Sequence, residues 1–282
     1  MSKKISSKKK RAEFREFHTP SSGFFFRAKQ HLFSEKSSFQ QIDVIDTDSF
    51  GRILFLDGLV QTTEKDEFFY HEMLVHPAMV SHPKPEAVLI IGGGDGGALK
   101  EVLRYPLKSA TLVEIDARVL ETCEKYFPWL AQARSDKRAE LKIADGSAFI
   151  QESDRRFDVI LIDSSDPVGP STVLHQREFF WRLRDHLKPG GIVAGQAGSP
   201  LYHLASLREK SFFLRQMFKF SCFYLGPVPT YPGGTWSYFF VSDEINPLES
   251  GTRNIPSGLQ YYNAEIHRAA FSLPAFLKKE LA

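Results

Sequence analysis

The chain of 282 residues is 42% hydrophobic and 25% charged, a globular composition that excludes disordered and collagen-like classes. No apolar run approaches the length of a spanning helix, so no membrane partner is expected. The formal charge of +2 hides an asymmetry: six basic residues and no acid fall in the first twelve positions, and the remaining 30 basic and 34 acidic residues leave a body of −4.

In chain order, Lys3, Lys4, Lys8, Lys9, Lys10 and Arg11 open a stretch read as a basic flexible tail over residues 1–20. A nucleic-acid footprint needs basic clustering on the fold itself, so no nucleic-acid partner is expected from a tail alone. The charged start lacks a following apolar segment and therefore reads as no secretory signal. Residues 21–84 then read as a small strand domain with a linking helix. Phe39–Ile45 and Arg52–Leu56 alternate apolar with polar side chains between turn signals such as Asp57-Gly58. Thr63-x-x-Asp66 resembles a helix start, with Phe69, Met73, Leu74 and Met79 on one helical face, and Pro83 and Pro85 close that helix.

Residues 85–282 change rhythm. Ala87–Ile91 is an unbroken apolar run, as a strand buried on both faces should be. A glycine-rich turn and a helix over Gly97–Arg104 follow, then strand Ala110–Val113 and helix Ala117–Tyr126. Strand Glu140–Ile143, a short helix from Ser147, strand Asp158–Ile162, a helix over Glu178–His186 and strand Gly191–Ala194 complete the series. This alternation predicts an α/β fold, a twisted and mainly parallel sheet wrapped by helices, behind a small N-terminal antiparallel unit. Cys123 and Cys222 stand far apart without a C-x-x-C pairing, which fits a reducing, cytoplasmic location.

Gly92-Gly93-Gly94-Asp95-Gly96-Gly97 lies between a predicted strand and a predicted helix, where glycines let a ligand approach the backbone. Glu114, 20 residues after Gly94, ends the next strand, where an acid can accept both ribose hydroxyls. Asp145-Gly146 ends the third strand, placed to receive an adenine amino group. Asp95 inside the loop opposes a pyrophosphate and also the carboxylate of S-adenosylmethionine. It favours a decarboxylated analogue that ends in an ammonium. Asp163-Ser-Ser-Asp-Pro-Val-Gly-Pro170 adds two acids after the fourth strand. Five acids (Asp95, Glu114, Asp145, Asp163, Asp166) then share one rim, a setting for a cationic substrate. Metal is not expected, because His71-Glu72-x-x-x-His76 misses the H-E-x-x-H spacing and its imidazoles diverge. A methyltransferase shares the glycine loop and ribose acid, and Asp95 with the paired acids tells against it.

The glycine loop, the Asp163–Pro170 loop, the stretch Asp57-Gly-Leu-Val-Gln-Thr-Thr-Glu-Lys-Asp-Glu-Phe-Phe-Tyr-His-Glu-Met73 and Pro229-Thr-Tyr-Pro-Gly-Gly-Thr-Trp236 together resemble the polyamine aminopropyltransferases. The resemblance runs from Phe39 to Phe271 and implies a Rossmann-like doubly wound, mainly parallel sheet of the S-adenosylmethionine-methyltransferase type, with a small N-terminal antiparallel β-strand domain. It implies aminopropyl transfer from decarboxylated S-adenosylmethionine to putrescine, with cadaverine or a longer polyamine as the alternative acceptor, without a metal or bound cofactor, in a homodimer or homotetramer. It implies Asp163 as proton acceptor, and Tyr70, His71, Asp95, Asp166, Gln196 and Tyr231 at the amine and aminopropyl end. Gln40, Gly92, Gly94, Glu114, Asp145, Gly146 and Pro170 would hold the methylthioadenosine part. Gln196, Leu201, Tyr231 and Trp236 would set the length of the amine pocket. Ser171-Thr172 and His175 depart from the family pattern, the last standing where an aromatic apolar residue is common.

Overall fold

A computed structural model describes residues 11–164, 169–250 and 254–281, without the side chains of 169–171. The chain opens on a hairpin, β1 (Glu13–Thr19) and β2 (Ser22–Arg27). The charge reading assigns residues 1–20 to a tail, but Phe14, Glu16 and His18 alternate inward while Glu13, Arg15 and Phe17 face outward, and this alternation builds a strand from Glu13 onward. A four-stranded antiparallel sheet follows, with β3 (Gln30–Lys36), β4 (Gln41–Thr47), β5 (Gly51–Leu56) and β6 (Leu59–Thr63) in sequential order.

Helix α1 (Glu67–Ser81) is buried along almost its whole length. Asp66 is its N-cap but caps nothing with its side chain; instead Thr63 Oγ1 donates to Asp66 Oδ1, and Thr230 donates to Oδ2 through its N–H and hydroxyl. Pro77, inside the helix, has no N–H to offer the Met73 carbonyl. The Tyr224 hydroxyl donates to that oxygen at 3.0 Å, so the helix runs through the proline with the carbonyl satisfied.

The second half alternates β7 (Ala87–Gly92), α2 (Gly97–Val102), β8 (Ser109–Glu114), α3 (Ala117–Tyr126), α4 (Pro128–Ala131), β9 (Ala139–Ile143), α5 (Gly146–Glu152) and β10 (Phe157–Asp163). It continues through α6 (Arg177–Asp185), β11 (Leu187–Gly198), α7 (Leu204–Met217), β12 (Phe220–Pro227), β13 (Thr235–Ser242), α8 (Ala264–Ala270) and α9 (Ala275–Leu281). The seven-stranded sheet has the order β12-β13-β11-β10-β7-β8-β9, parallel from β11 to β9 with β13 antiparallel to both its neighbours. The chain winds outward from β7 to β9, then crosses back to place β10 on the other side of β7. That reversal is the topological switch, and ligands bind beyond the strand ends there.

The small sheet docks on this edge. Ile42, Val44 and Leu54 pack with Val119, Cys123, Phe127 and Leu130 of the α3–α4 region. Ser37 Oγ and Gln40 Nε2 both donate to Asp116 Oδ2, at 2.7 and 3.0 Å, while Arg118 pairs with Glu35. Among the described residues no helix is long and apolar enough to cross a membrane.

Candidate active site

A cleft of about 230 Å³ opens over the switch point, walled by the small sheet on one side and the ends of β7, β8 and β10 on the other. The turn after β7 needs its glycines. Gly92 has φ +83°, and a Cβ there would fall 2.2 Å from the Asp163 carbonyl oxygen. Gly97 leaves room for an imidazole, since its Cβ would fall 2.1 Å from the His71 ring. The Gly93 N–H donates to the Asp163 carbonyl at 2.9 Å, so the loop and the end of β10 are tied together.

Two carboxylates, Asp95 and Asp163, face this floor. Asp163 Oδ1 accepts from the Tyr70 hydroxyl at 2.7 Å. Burial and the adjacent Asp95 charge push the Asp163 carboxyl up to about 6, against the opposing effects of His71 and the Tyr70 hydrogen bond. Burial also pushes Asp95 up, but the His71 imidazolium and the Gly97 N–H outweigh it and hold Asp95 below its ordinary value. For His71, burial alone favours the neutral ring; Asp95 and Glu67 overcome it and raise the imidazole well above its usual range.

His71 is not on the cleft wall. It stands behind Asp95, with Nε2 at 3.2 Å from Asp95 Oδ2 and Nδ1 at 2.6 Å from Glu67 Oε2. Lys100 Nζ in turn meets Glu67 Oε1 at 2.7 Å. Ligand atoms of His71, Asp95 and Asp163 all lie within 4.8 Å of one another. Both His71 nitrogens face carboxylates and so both carry hydrogen, which leaves no imidazole lone pair for a metal. His76 turns the other way, to Tyr105 and Glu101, as the missed H-E-x-x-H spacing predicts.

Farther along the cleft, Glu114 Oε1 accepts the Asp116 N–H at 2.9 Å, and burial pushes its carboxyl up to about 7. A Cβ on Gly94 would fall 2.9 Å from Glu114 Oε2, so the glycine gives this acid its space. Asp145 caps α5, with Oδ1 accepting from Ser147 and Ala148, which leaves Oδ2 outside the cap. At the opposite end Tyr231 donates to the Gln61 carbonyl, and Trp236 Nε1 donates to Gln196 Oε1.

The structure therefore brings Gln40, Tyr70, Gly92, Gly94, Asp95, Glu114, Asp145, Gly146, Asp163, Gln196 and Tyr231 to one cleft. Asp166 and the Pro170 side chain lie outside the described residues. Leu201 is exposed and does not line the cleft, so it does not set pocket length. Glu16, a buried carboxylate on β1 that the sequence patterns above do not single out, also lines the cleft and accepts the Val60 N–H at 2.8 Å. Its signal is the inward alternation of Phe14, Glu16 and His18. The described lining residues include no Lys or Arg, and a wall of acids without bases attracts cations.

Comparison with known proteins agrees with this geometry. The family described as "Spermine/spermidine synthase domain" matches residues 67–250, and "Spermidine synthase tetramerisation domain" matches residues 13–64. A polyamine aminopropyltransferase of Moorella thermoacetica is 41% identical over 270 residues, 95% of each chain. One from Leptospira biflexa is 45% identical over 256 residues, covering 90% of this chain and 91% of the relative. Spermidine synthase solved in complex with the transition state analogue AdoDATO superposes with a TM-score of 0.93 at 39% identity, covering 96% of this chain and 94% of that one. Spermidine synthase from Thermotoga maritima gives 0.92 at 39% identity, over 97% and 95%. Two family matches, one over each sheet, and relatives aligned nearly end to end place this chain in the spermine/spermidine synthase family of polyamine aminopropyltransferases.

Proposed function

We propose that the protein transfers the aminopropyl group of decarboxylated S-adenosylmethionine to putrescine, giving spermidine and methylthioadenosine. The observation that carries this reading is the pair Asp95 and Asp163 on the floor of a cleft without lysine or arginine, in a fold shared with a spermidine synthase solved with AdoDATO. The donor ends in an ammonium and carries a sulfonium, and the acceptor is a diammonium, so every reacting partner is cationic.

Asp163 is the proton acceptor in this reading. An alkylammonium titrates near 10, so presenting a neutral amine at pH 7 costs about 4–5 kcal/mol. A carboxylate poised at about 6 is ionised at that pH yet basic enough to take the proton as the amine attacks the methylene beside sulfur. Tyr70 keeps its hydrogen, because burial and the Asp163 charge raise its phenol. It therefore donates to Asp163 and fixes the direction of the carboxylate. Asp95 holds the aminopropyl ammonium, with His71 behind it as a positioning cation. Glu114 takes the ribose hydroxyls and Asp145 Oδ2 the adenine amino group, while Gly92, Gly94 and Gly146 admit the nucleoside. Gln40 supports that end through Asp116. Gln196, Tyr231 and Glu16 bound the amine end, joined by Asp166, and Pro170 borders the nucleoside. Neither a metal nor a resident cofactor belongs to this scheme.

The division into a strand unit with its linking helix up to residue 84 and a catalytic unit from residue 85, a cytoplasmic location and a homo-oligomeric state, dimer or tetramer, complete the reading. The test is direct. Putrescine with decarboxylated S-adenosylmethionine should yield spermidine and methylthioadenosine, and S-adenosylmethionine should yield neither. A methylated product from S-adenosylmethionine, or no transfer from the decarboxylated donor, sinks the assignment.

A further inference from the structure

Beyond the cleft, Lys210 on α7 reaches toward the residue that follows Asp163. Its Nζ lies 3.2 Å from His175 Nδ1, and His175 Nε2 lies 3.2 Å from Ser164 Oγ. An ammonium has hydrogens and no lone pair, so Nδ1 must accept. The imidazole is then neutral, with its one hydrogen on Nε2 and directed at the serine. Lys210 is buried at the aromatic faces of Phe180 and Phe239, 5.9 and 5.2 Å from their centroids. That packing restrains a long side chain that would otherwise sweep many rotamers.

Ser164 is held from a second direction. Gln196 Nε2 donates to its carbonyl at 3.0 Å, and the Gly93 N–H fixes the preceding carbonyl, that of Asp163. The chain leaves β10 here, and among the described residues no ladder pair follows Asp163–Gly92. A shift of the Ser164 peptide would swing the Asp163 carboxylate.

We propose that His175 and Lys210 are positioning residues that act through Ser164 to hold the end of β10, and with it the Asp163 carboxylate, in line with the attacking amine. This inference rests on the aminopropyl-transfer reading. An aromatic apolar residue at 175 would fill the same space and could not bridge Lys210 to Ser164.

The experiment compares His175→Phe, His175→Gln, Lys210→Met and the Phe/Met double variant. His175→Phe and Lys210→Met should each lower kcat roughly tenfold, with KM for the donor within about twofold, because alignment and not donor binding is lost. Glutamine can accept from Lys210 and donate to Ser164, so His175→Gln should recover most of the activity. A role in packing alone predicts the opposite order, phenylalanine above glutamine. The double variant should be no slower than the slower single one, since both break one line. Unchanged kcat in the singles, or additive losses in the double, overturns the proposal.

A second readout separates this inference from the assignment beneath it. Imidazole 15N shifts of the wild type near neutral pH should show His175 as the Nε2–H tautomer, and Lys210→Met should lose that bias. An Nδ1–H or doubly protonated ring overturns the line whatever the enzyme's activity. Absence of aminopropyl transfer by the wild type instead refutes the functional reading.

Discussion

At the scale of single residues, the site depends on keeping two neighbouring carboxylates in different states. Asp95 is paired with a cation, and Asp163 is paired with a neutral phenol. Like charges this close push one carboxyl upward, and the one without the imidazolium is the one pushed. The consequence for pH is specific. The proposed reaction needs Asp163 ionised, so kcat/KM should fall as pH drops through about 6. Bound cations favour the carboxylate, so the acid limb of kcat should lie at lower pH than that of kcat/KM. Asp163→Asn should reduce turnover by orders of magnitude while methylthioadenosine binding is retained. Stability carries the opposite sign. A raised carboxyl pKa means that the fold opposes ionisation, a penalty absent below the ordinary carboxyl range and fully present above about 6. Asp163→Asn should therefore unfold at higher denaturant than wild type at pH 8, and the gain should vanish near pH 4. A variant equally active, or no more stable at pH 8, contradicts the electrostatic account.

At the scale of elements, the join between the small sheet and α3 is carried by Asp116. Its side chain caps the helix through the Arg118 N–H and accepts from Ser37 and Gln40 across the interface. Losing a cap costs about 1 kcal/mol, and losing each of the two part-buried hydrogen bonds about 0.5–1.5 net. Asp116→Ala should cost about 2–4 kcal/mol in urea unfolding and raise KM for the donor, because Gln40 loses its tether beside the nucleoside end. Glu35→Ala, which breaks a half-exposed ion pair on the same join, should cost under about 1 kcal/mol. Equal costs would mean that charge pairing, not the buried cap, holds the interface. Elements such as β7 and β10 are legible from sequence because burial on both faces leaves an unmixed apolar run. The hairpin β1–β2 is not, because its outward charges continue the composition of the basic segment before it. The ends of the strands locate Asp95, Glu114, Asp145 and Asp163 correctly, since topology alone puts them on one edge. Glu16, Glu67 and Lys100 escape because their partners come from distant elements: Glu16 reaches Val60, and Lys100 reaches back to Glu67 across two helices. His71 enters the sequence reading only through the resemblance, and its place behind Asp95 is not legible there, since it depends on the missing Cβ of Gly97.

At the scale of the whole molecule, the same hairpin that supplies Glu16 to the cleft turns a second face away from it. The two strands form a sheet of their own, and an isolated hairpin is marginal in water. Its inner face is anchored: the Phe14 and Phe26 rings stand 5.5 and 5.9 Å from Phe55 of the small sheet. Its outer face carries Phe17 and Phe25 at 66% and 55% exposure, beside Arg15, Arg27 and Glu13. Two phenylalanines in water forfeit about 1.5–3 kcal/mol each relative to burial, and a mixed-charge rim around an apolar centre is the anatomy of an association surface. The prediction is that this face meets a second copy in the proposed homo-oligomer. Light scattering should give a mass above that of one chain, and replacing Phe17 and Phe25 together by Asp should lower it. Because Glu16 lies on the strand that would loosen, the variant should also raise KM for putrescine more than for the donor. An unaltered mass would move the interface elsewhere on the molecule, and an unaltered KM would uncouple the hairpin's outer face from the acid it holds in the site.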